Sequence, residues 1–110
     1  MSPQARAWLI LLAAGILETG WAIGLKHSRG FTRAGPSALT ILAMVASMYL
    51  LARAVQVLPI GTAYAVWTGI GAIGTALLGM LLFNEPRTAI RLVSMVLIVA
   101  GIVGLRLGTR

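Results

Sequence analysis

Only two of the 110 residues are acidic, and one of them, Glu18, interrupts an apolar run. Residues 7–17 carry no charge, and the uncharged run resumes after Glu18 as far as Leu25. A carboxyl group at that depth is costly in hydrocarbon, so such residues face a cavity or a partner and mark ion or proton pathways. One carboxylate can hold a proton or a cation, but not both well. That competition is sufficient for proton-coupled antiport. The plainer reading is a protonated glutamate hydrogen-bonded inside a bundle. It is the weaker of the two, because no basic residue shares this stretch at the same depth.

Trp21 follows Glu18 by three residues and therefore shares its helix face. Its indole N–H can orient a carboxylate, and its ring can lie against a cation. Trp8 suits interfacial anchoring, but Trp21 is too deep for that role. Tyr64 and Trp67 form a second pair with the same spacing. Each has a polar tip on an aromatic body, suited to a cavity that holds a cation and excludes bulk water. Gly69 and Gly71 follow directly, and two glycines in mid-span weaken a helix and allow a bend. Ser47 could donate to Glu18 across a bundle, although membrane serines commonly bond their own i−4 carbonyl. Arg53 and Arg106 sit where they can snorkel. Glu85 stands beside Arg87 and reads as half of a solvated pair.

The elements that must position these residues are apolar spans. Hydrophobic residues make up 59% of the chain and charged residues only 10%. A soluble domain of this size needs far more polar surface. Residues 34–52, 54–84 and 92–105 carry no charge, as the first run nearly does not. A membrane span needs roughly 20 mostly apolar residues. The pattern predicts an all-α membrane protein with helices at about 6–25, 36–57, 61–83 and 88–107. The first is not a cleaved leader, because it carries Glu18 and ends in no small-residue cleavage pattern. Lys26 to Gly35, Leu58 to Gly61 and Asn84 to Arg87 are the connections, with Ser28-Arg29-Gly30 as a turn and Pro86 as a helix stop. None is long enough for a soluble domain, which leaves one domain over 1–110. With no cysteine and a lone His27, neither a disulfide nor a metal site is expected, and no cofactor is implied.

A net charge of +7 would suit nucleic acid, but the nine basic residues flank the spans and form no stripe with aromatics between them. They read as headgroup contacts and topology signals. One end of the four spans carries Arg6, Arg53, Arg106 and Arg110; the other carries Lys26, Arg29, Arg33, Arg87 and Arg91. Four against five is almost no bias. Either a subtle positional effect decides the orientation, or the chain inserts both ways round. Four thin helices also enclose little, which favours a dimer. An antiparallel dimer would reproduce the inverted symmetry of larger transporters. Small-residue ridges at Gly71, Thr75 and Gly79 and at Ala100, Gly104 and Gly108 would let helices approach closely.

Several stretches together resemble the small multidrug resistance transporters over essentially the whole chain. They are Gly15-Ile16-Leu17-Glu18 with Lys26, Gly30-Phe31-Thr32-Arg33 with Pro36-Ser37, and the long run from Leu58 to Gly71. Trp21 three residues after Glu18, and Trp67-Thr68-Gly69, resemble the family's guanidinium exporter subtype. The polyaromatic-cation exporters usually have a small residue at the Trp21 position and more often read Trp-Ser-Gly. The resemblance implies an antiparallel homodimer, in a bacterial inner membrane, whose two glutamates bind protons or one substrate cation. It implies that Trp21 and Ser47 orient Glu18 and that Tyr64 and Trp67 line the site. Planar guanidinium can donate two parallel hydrogen bonds to a fixed carboxylate. The implied activity is proton-coupled export of guanidinium and small substituted guanidines. The alternatives are a broad exporter of quaternary ammonium and other hydrophobic cations, a non-transporting membrane subunit, and an obligate heterodimer, against which the balanced loop charge argues.

Overall fold

The computed structural model describes residues 1–108, so Arg110 of the charge tally lies outside the described residues. Those residues form four helices: α1 (Pro3–His27), α2 (Ala34–Ala54), α3 (Ile60–Leu82) and α4 (Ala89–Gly108). Each is long and apolar enough to cross a membrane. At 1.5 Å per residue the 21 residues of α2 span about 32 Å, close to the thickness of a hydrocarbon core.

Local chemistry sets the helix ends. The Ser2 hydroxyl accepts from the Ala5 N–H at 3.0 Å and Pro3 opens the first turn, so α1 starts three residues earlier than apolarity alone suggests. Its other end is closed by Ser28, whose hydroxyl donates to the Leu25 carbonyl at 2.7 Å and accepts from the Phe31 N–H at 3.1 Å. Arg29, Gly30 and Phe31 all take positive φ here, which reverses the chain tightly. The second helix ends at Ala54 instead of residue 57, because Val55 to Val57 turn back on its last carbonyls. The third stops at Leu82, one residue before the expected end at 83, with Asn84 in the left-handed region ahead of Pro86.

Aromatic and cationic contacts fix which ends lie together. The Arg106 guanidinium lies 4.9 Å from the Trp8 ring centre, joining the start of α1 to the end of α4. The Lys26 ammonium lies 4.8 Å from the Phe83 ring centre, joining the ends of α1 and α3. The helices therefore alternate in direction.

Packing is uneven along the bundle. Ala7, Leu11 and Ala14 of α1, Leu51 and Ala54 of α2, Leu58, and Ala63, Val66 and Trp67 of α3 form one buried cluster. All of it lies in the half of the bundle that holds the start of α1. In the other half, glycines replace large side chains as the points of contact. Gly24 receives Thr40 of α2, and Gly74 receives Thr19 of α1. The fourth helix packs mainly against α3, meets α1 through Arg106 on Trp8, and buries only Met95.

Gly15 marks one of the close approaches of α1 and α3. A Cβ added there would sit 2.6 Å from Ile70 Cγ2 and 2.8 Å from Ile70 Cβ. Gly15→Ala is expected to lower stability by about 1–3 kcal/mol, the usual range for overpacking. Thermal unfolding in detergent measures this. Trimming Ile70 to Ala should recover only part of the loss, because the Ile70 Cβ remains.

Candidate functional site

Glu18 points from α1 toward α3 and meets bare backbone. A Cβ on Gly71 would collide with the Glu18 carboxyl group, so the absence of a side chain at 71 is what gives the acid its place. Its Oε1 is buried with no hydrogen-bond partner among the described residues. The Trp21 indole nitrogen, one turn further along the same face, is likewise buried and unpartnered. Both residues line a cleft of about 390 Å³ with Ala22, Thr68, Gly71, Ala72, Thr75, Ala76 and Glu85. An unpaired acceptor and an unpaired donor thus belong to residues that line one cleft in the apolar span. A buried polar group without a partner costs a few kcal/mol, which a cation or a proton on the acid would relieve.

Ser47 does not reach the carboxylate. Fully buried, it donates to the Ala14 carbonyl at 2.7 Å and accepts from the Trp67 indole N–H at 2.9 Å. Its own i−4 carbonyl is not its partner either. The Ala14 carbonyl is the one that the Glu18 N–H faces within α1, so Ser47 acts on the turn that carries Glu18. This two-bond link joins α1, α2 and α3 at a single hydroxyl. Trp67 is buried, and its ring centre lies 5.5 Å from that of Tyr64 at an angle of 49°. Tyr64 is more than half exposed and does not line the Glu18 cleft.

The five residues therefore fall into two groups. Glu18 and Trp21 share the cleft; Ser47, Trp67 and Tyr64 form a chain of contacts beside it, coupled through Ala14. Gly69 and Gly71 lie within an uninterrupted helix, and each receives another element. A Cβ on Gly69 would sit 3.0 Å from Ile102 Cδ1 and 3.3 Å from Ile98 Cγ2 of α4, while Gly71 holds Glu18.

Three polar residues of the cleft are not singled out by the sequence as lining a site: Thr68, Thr75 and Glu85. Thr75 stood in a ridge read as helix packing, and its spacing of four from Gly71 was the available signal. Glu85 was paired with Arg87 on adjacency. Its partner is Arg91, at 3.3 Å, while the Arg87 guanidinium donates to the Met80 carbonyl at 3.1 Å.

The sequence model of the family described as Small Multidrug Resistance protein matches residues 6–98. The chain belongs to this family. It is 58% identical over 103 residues to a protein named "Guanidinium exporter" from Yersinia pseudotuberculosis serotype I (strain IP32953). That match covers 94% of this chain and 99% of the relative. Proteins of the same name from Citrobacter freundii and Salmonella typhimurium are 57% identical over 103 residues, covering 94% of this chain and 98% of each relative. With four apolar spans, this member of the family is an integral membrane protein.

Removing the Ser47 hydroxyl would strand the Trp67 N–H in the buried cluster. Ser47→Ala is expected to cost about 1–3 kcal/mol of stability, the penalty of one unsatisfied buried donor. A lowered thermal midpoint in detergent, with Trp fluorescence reporting on Trp67, is the expected result.

Proposed function

We propose that the chain is a proton-coupled exporter of guanidinium and small substituted guanidines in the inner membrane of a bacterium. The observation that carries this reading is the pair of unpartnered groups in one cleft: a carboxylate oxygen seated on Gly71 and an indole N–H on the same helix face. The relatives' shared name gives the substrate class.

Guanidinium is planar and presents pairs of N–H donors in the fork that a carboxylate accepts. Glu18 supplies the acceptor, and the close seat on α3 limits how far it can rotate. Trp21 supplies a ring face for the cation and an N–H for the second carboxylate oxygen. Ser47, with Trp67, holds the turn of α1 on which Glu18 stands. Tyr64, beside Trp67, completes the wall of the site when a second copy adds its half.

The working unit of the proposal is an antiparallel homodimer. Three features support it. The Glu18 cleft is open along its length within one chain, so its remaining wall must come from outside. The ridge of Ala100, Gly104 and Gly108 is exposed, with nothing within 4 Å of a Cβ on either glycine, which leaves it free to receive another helix. The loop charges balance at four against five, as insertion in both orientations requires.

In the proposed cycle the two glutamates arrive inward-facing with protons bound. A cation displaces the protons, the dimer exchanges its open face, and protons outside displace the cation. Gly69 and Gly71 provide the weak point at which α3 flexes during the exchange. Because proton and cation compete for one carboxylate, lowering the pH should raise the half-saturating guanidinium concentration on the loading side. Once the carboxylates are largely protonated, that concentration rises about tenfold per pH unit for each proton that the cation displaces.

The test is transport current on a solid-supported membrane with the purified chain reconstituted alone. A guanidinium current that disappears in Glu18→Gln, with little current from tetrapropylammonium, is the expected outcome. A guanidinium current undiminished by Glu18→Gln would overturn the mechanism. Current from tetrapropylammonium alone would replace the substrate class with hydrophobic cations.

A further inference from the structure

The only two acids in the chain line the same cleft. Glu18 sits on Gly71. The Glu85 carboxylate sits on Gly79, where an added Cβ would collide with it. The loop after α3 folds back to put it there, with the Glu85 N–H donating to the Gly79 carbonyl at 3.3 Å. Gly71 and Gly79 are eight residues apart on one face of α3, a rise of about 12 Å. Thr75 lies midway, and its hydroxyl oxygen is buried with no partner among the described residues. The cleft thus runs from an acid in the span, past an unpaired hydroxyl, to an acid in the loop at the end of the span.

The surroundings of Glu85 are strongly basic. Lys26, Arg29, Arg33, Arg87 and Arg91 all lie at this end of the bundle, and Glu85 is the only acid among them. A cation approaching this face meets repulsion everywhere except at Glu85. What occupies Glu85 in the structure is the Arg91 guanidinium, at 3.3 Å, with both side chains about one-third exposed. This is chemically the pairing that a guanidinium substrate would make with a carboxylate, with the cation tethered to the protein. A pair this exposed is worth about 1 kcal/mol or less, so a free cation can exchange with it.

We propose that Glu85 is the outer acceptor of the transported cation and that Arg91 is its resident competitor. A substrate guanidinium displaces Arg91 from Glu85, passes the Thr75 hydroxyl and reaches Glu18. No covalent step is involved. Arg91, released, rejoins Glu85 once the cation has moved inward and so opposes its return. The inference rests on the guanidinium exporter reading and assigns Glu85 a specificity role at the mouth of that site.

The two partners give opposite signs, which a merely structural salt bridge would not. In the reconstituted current assay, Glu85→Gln should raise the half-saturating guanidinium concentration about two- to fivefold, the range that an exposed ion pair spans. Its maximal current should stay within a factor of about two. Arg91→Gln should lower the half-saturating concentration, and by more than Arg29→Gln, which removes the same charge from the α1–α2 turn. If Glu85→Gln and Arg91→Gln shift it in the same direction, the pair only anchors the loop and the inference is overturned. An equal effect of Arg91→Gln and Arg29→Gln would reduce Arg91 to general repulsion and overturn its role as competitor. Should Glu85→Gln fail to reach the membrane, the comparison of Arg91 with Arg29 decides. An unaltered chain that moves no guanidinium would instead defeat the exporter reading, and this inference with it.

Discussion

Placing a carboxylate inside hydrocarbon leaves the protein few options, and the contact between Glu18 and Gly71 is the one used here. In the proposed function the acid needs a site in the span that leaves it able to take a proton or a cation. A glycine on the facing helix provides this, because backbone alone forms the floor and no side chain competes for the space. Once that contact is required, α1 and α3 must run close at this level. Gly15 against Ile70 and Gly74 against Thr19 allow them to do so. The position of the site is thus set by where side chains are missing.

The same requirement explains the uneven bundle. A tight cluster of Leu11, Val66, Trp67 and their neighbours holds one half together, and the Ser47 hydroxyl ties three helices at its border. The half that contains Glu18 is held by glycine contacts and is hollowed by the cleft. Rigidity in the first half positions Glu18 through the Ala14 turn. Looseness in the second half leaves room for a ligand to enter. Close packing and an open pathway are incompatible in one place, and the chain separates them along the helix axis.

Much of this was legible in the sequence, for definite reasons. The four spans follow from charge-free stretches, which lipid tolerates and water does not. Glu18 and Trp21 stand out because a polar group in such a stretch requires an explanation. The actual partners were not legible. Ser47 is a plausible donor to Glu18 by depth, but its hydroxyl selects between several carbonyls and indoles according to helix rotation, which composition does not specify. Tyr64 and Trp67 share a face by spacing, yet one is exposed and the other buried, because the face straddles the edge of the cluster. The ridge of Gly71, Thr75 and Gly79 was readable as a close-contact surface, although not that two carboxylates would occupy it. Glu85 looked paired with its neighbour Arg87, but the turn at Asn84 sends the Arg87 side chain to the end of α3 and brings Arg91 within reach.

One further consequence comes from the isolation of α4. Three helices hold one another, while the fourth packs mainly along α3, meets α1 through Arg106 on Trp8, and keeps nearly all of its apolar surface uncovered. Lipid tails can cover that surface as well as protein can, so the flank of α4 is contested between solvent bilayer and neighbouring chains. The outcome of such a contest depends on how many chains share a given area of membrane. In the proposed dimer, expression level and lipid-to-protein ratio therefore act as variables of state. Dilution into a large excess of lipid would be felt first at α4, before any disturbance reached the three-helix body.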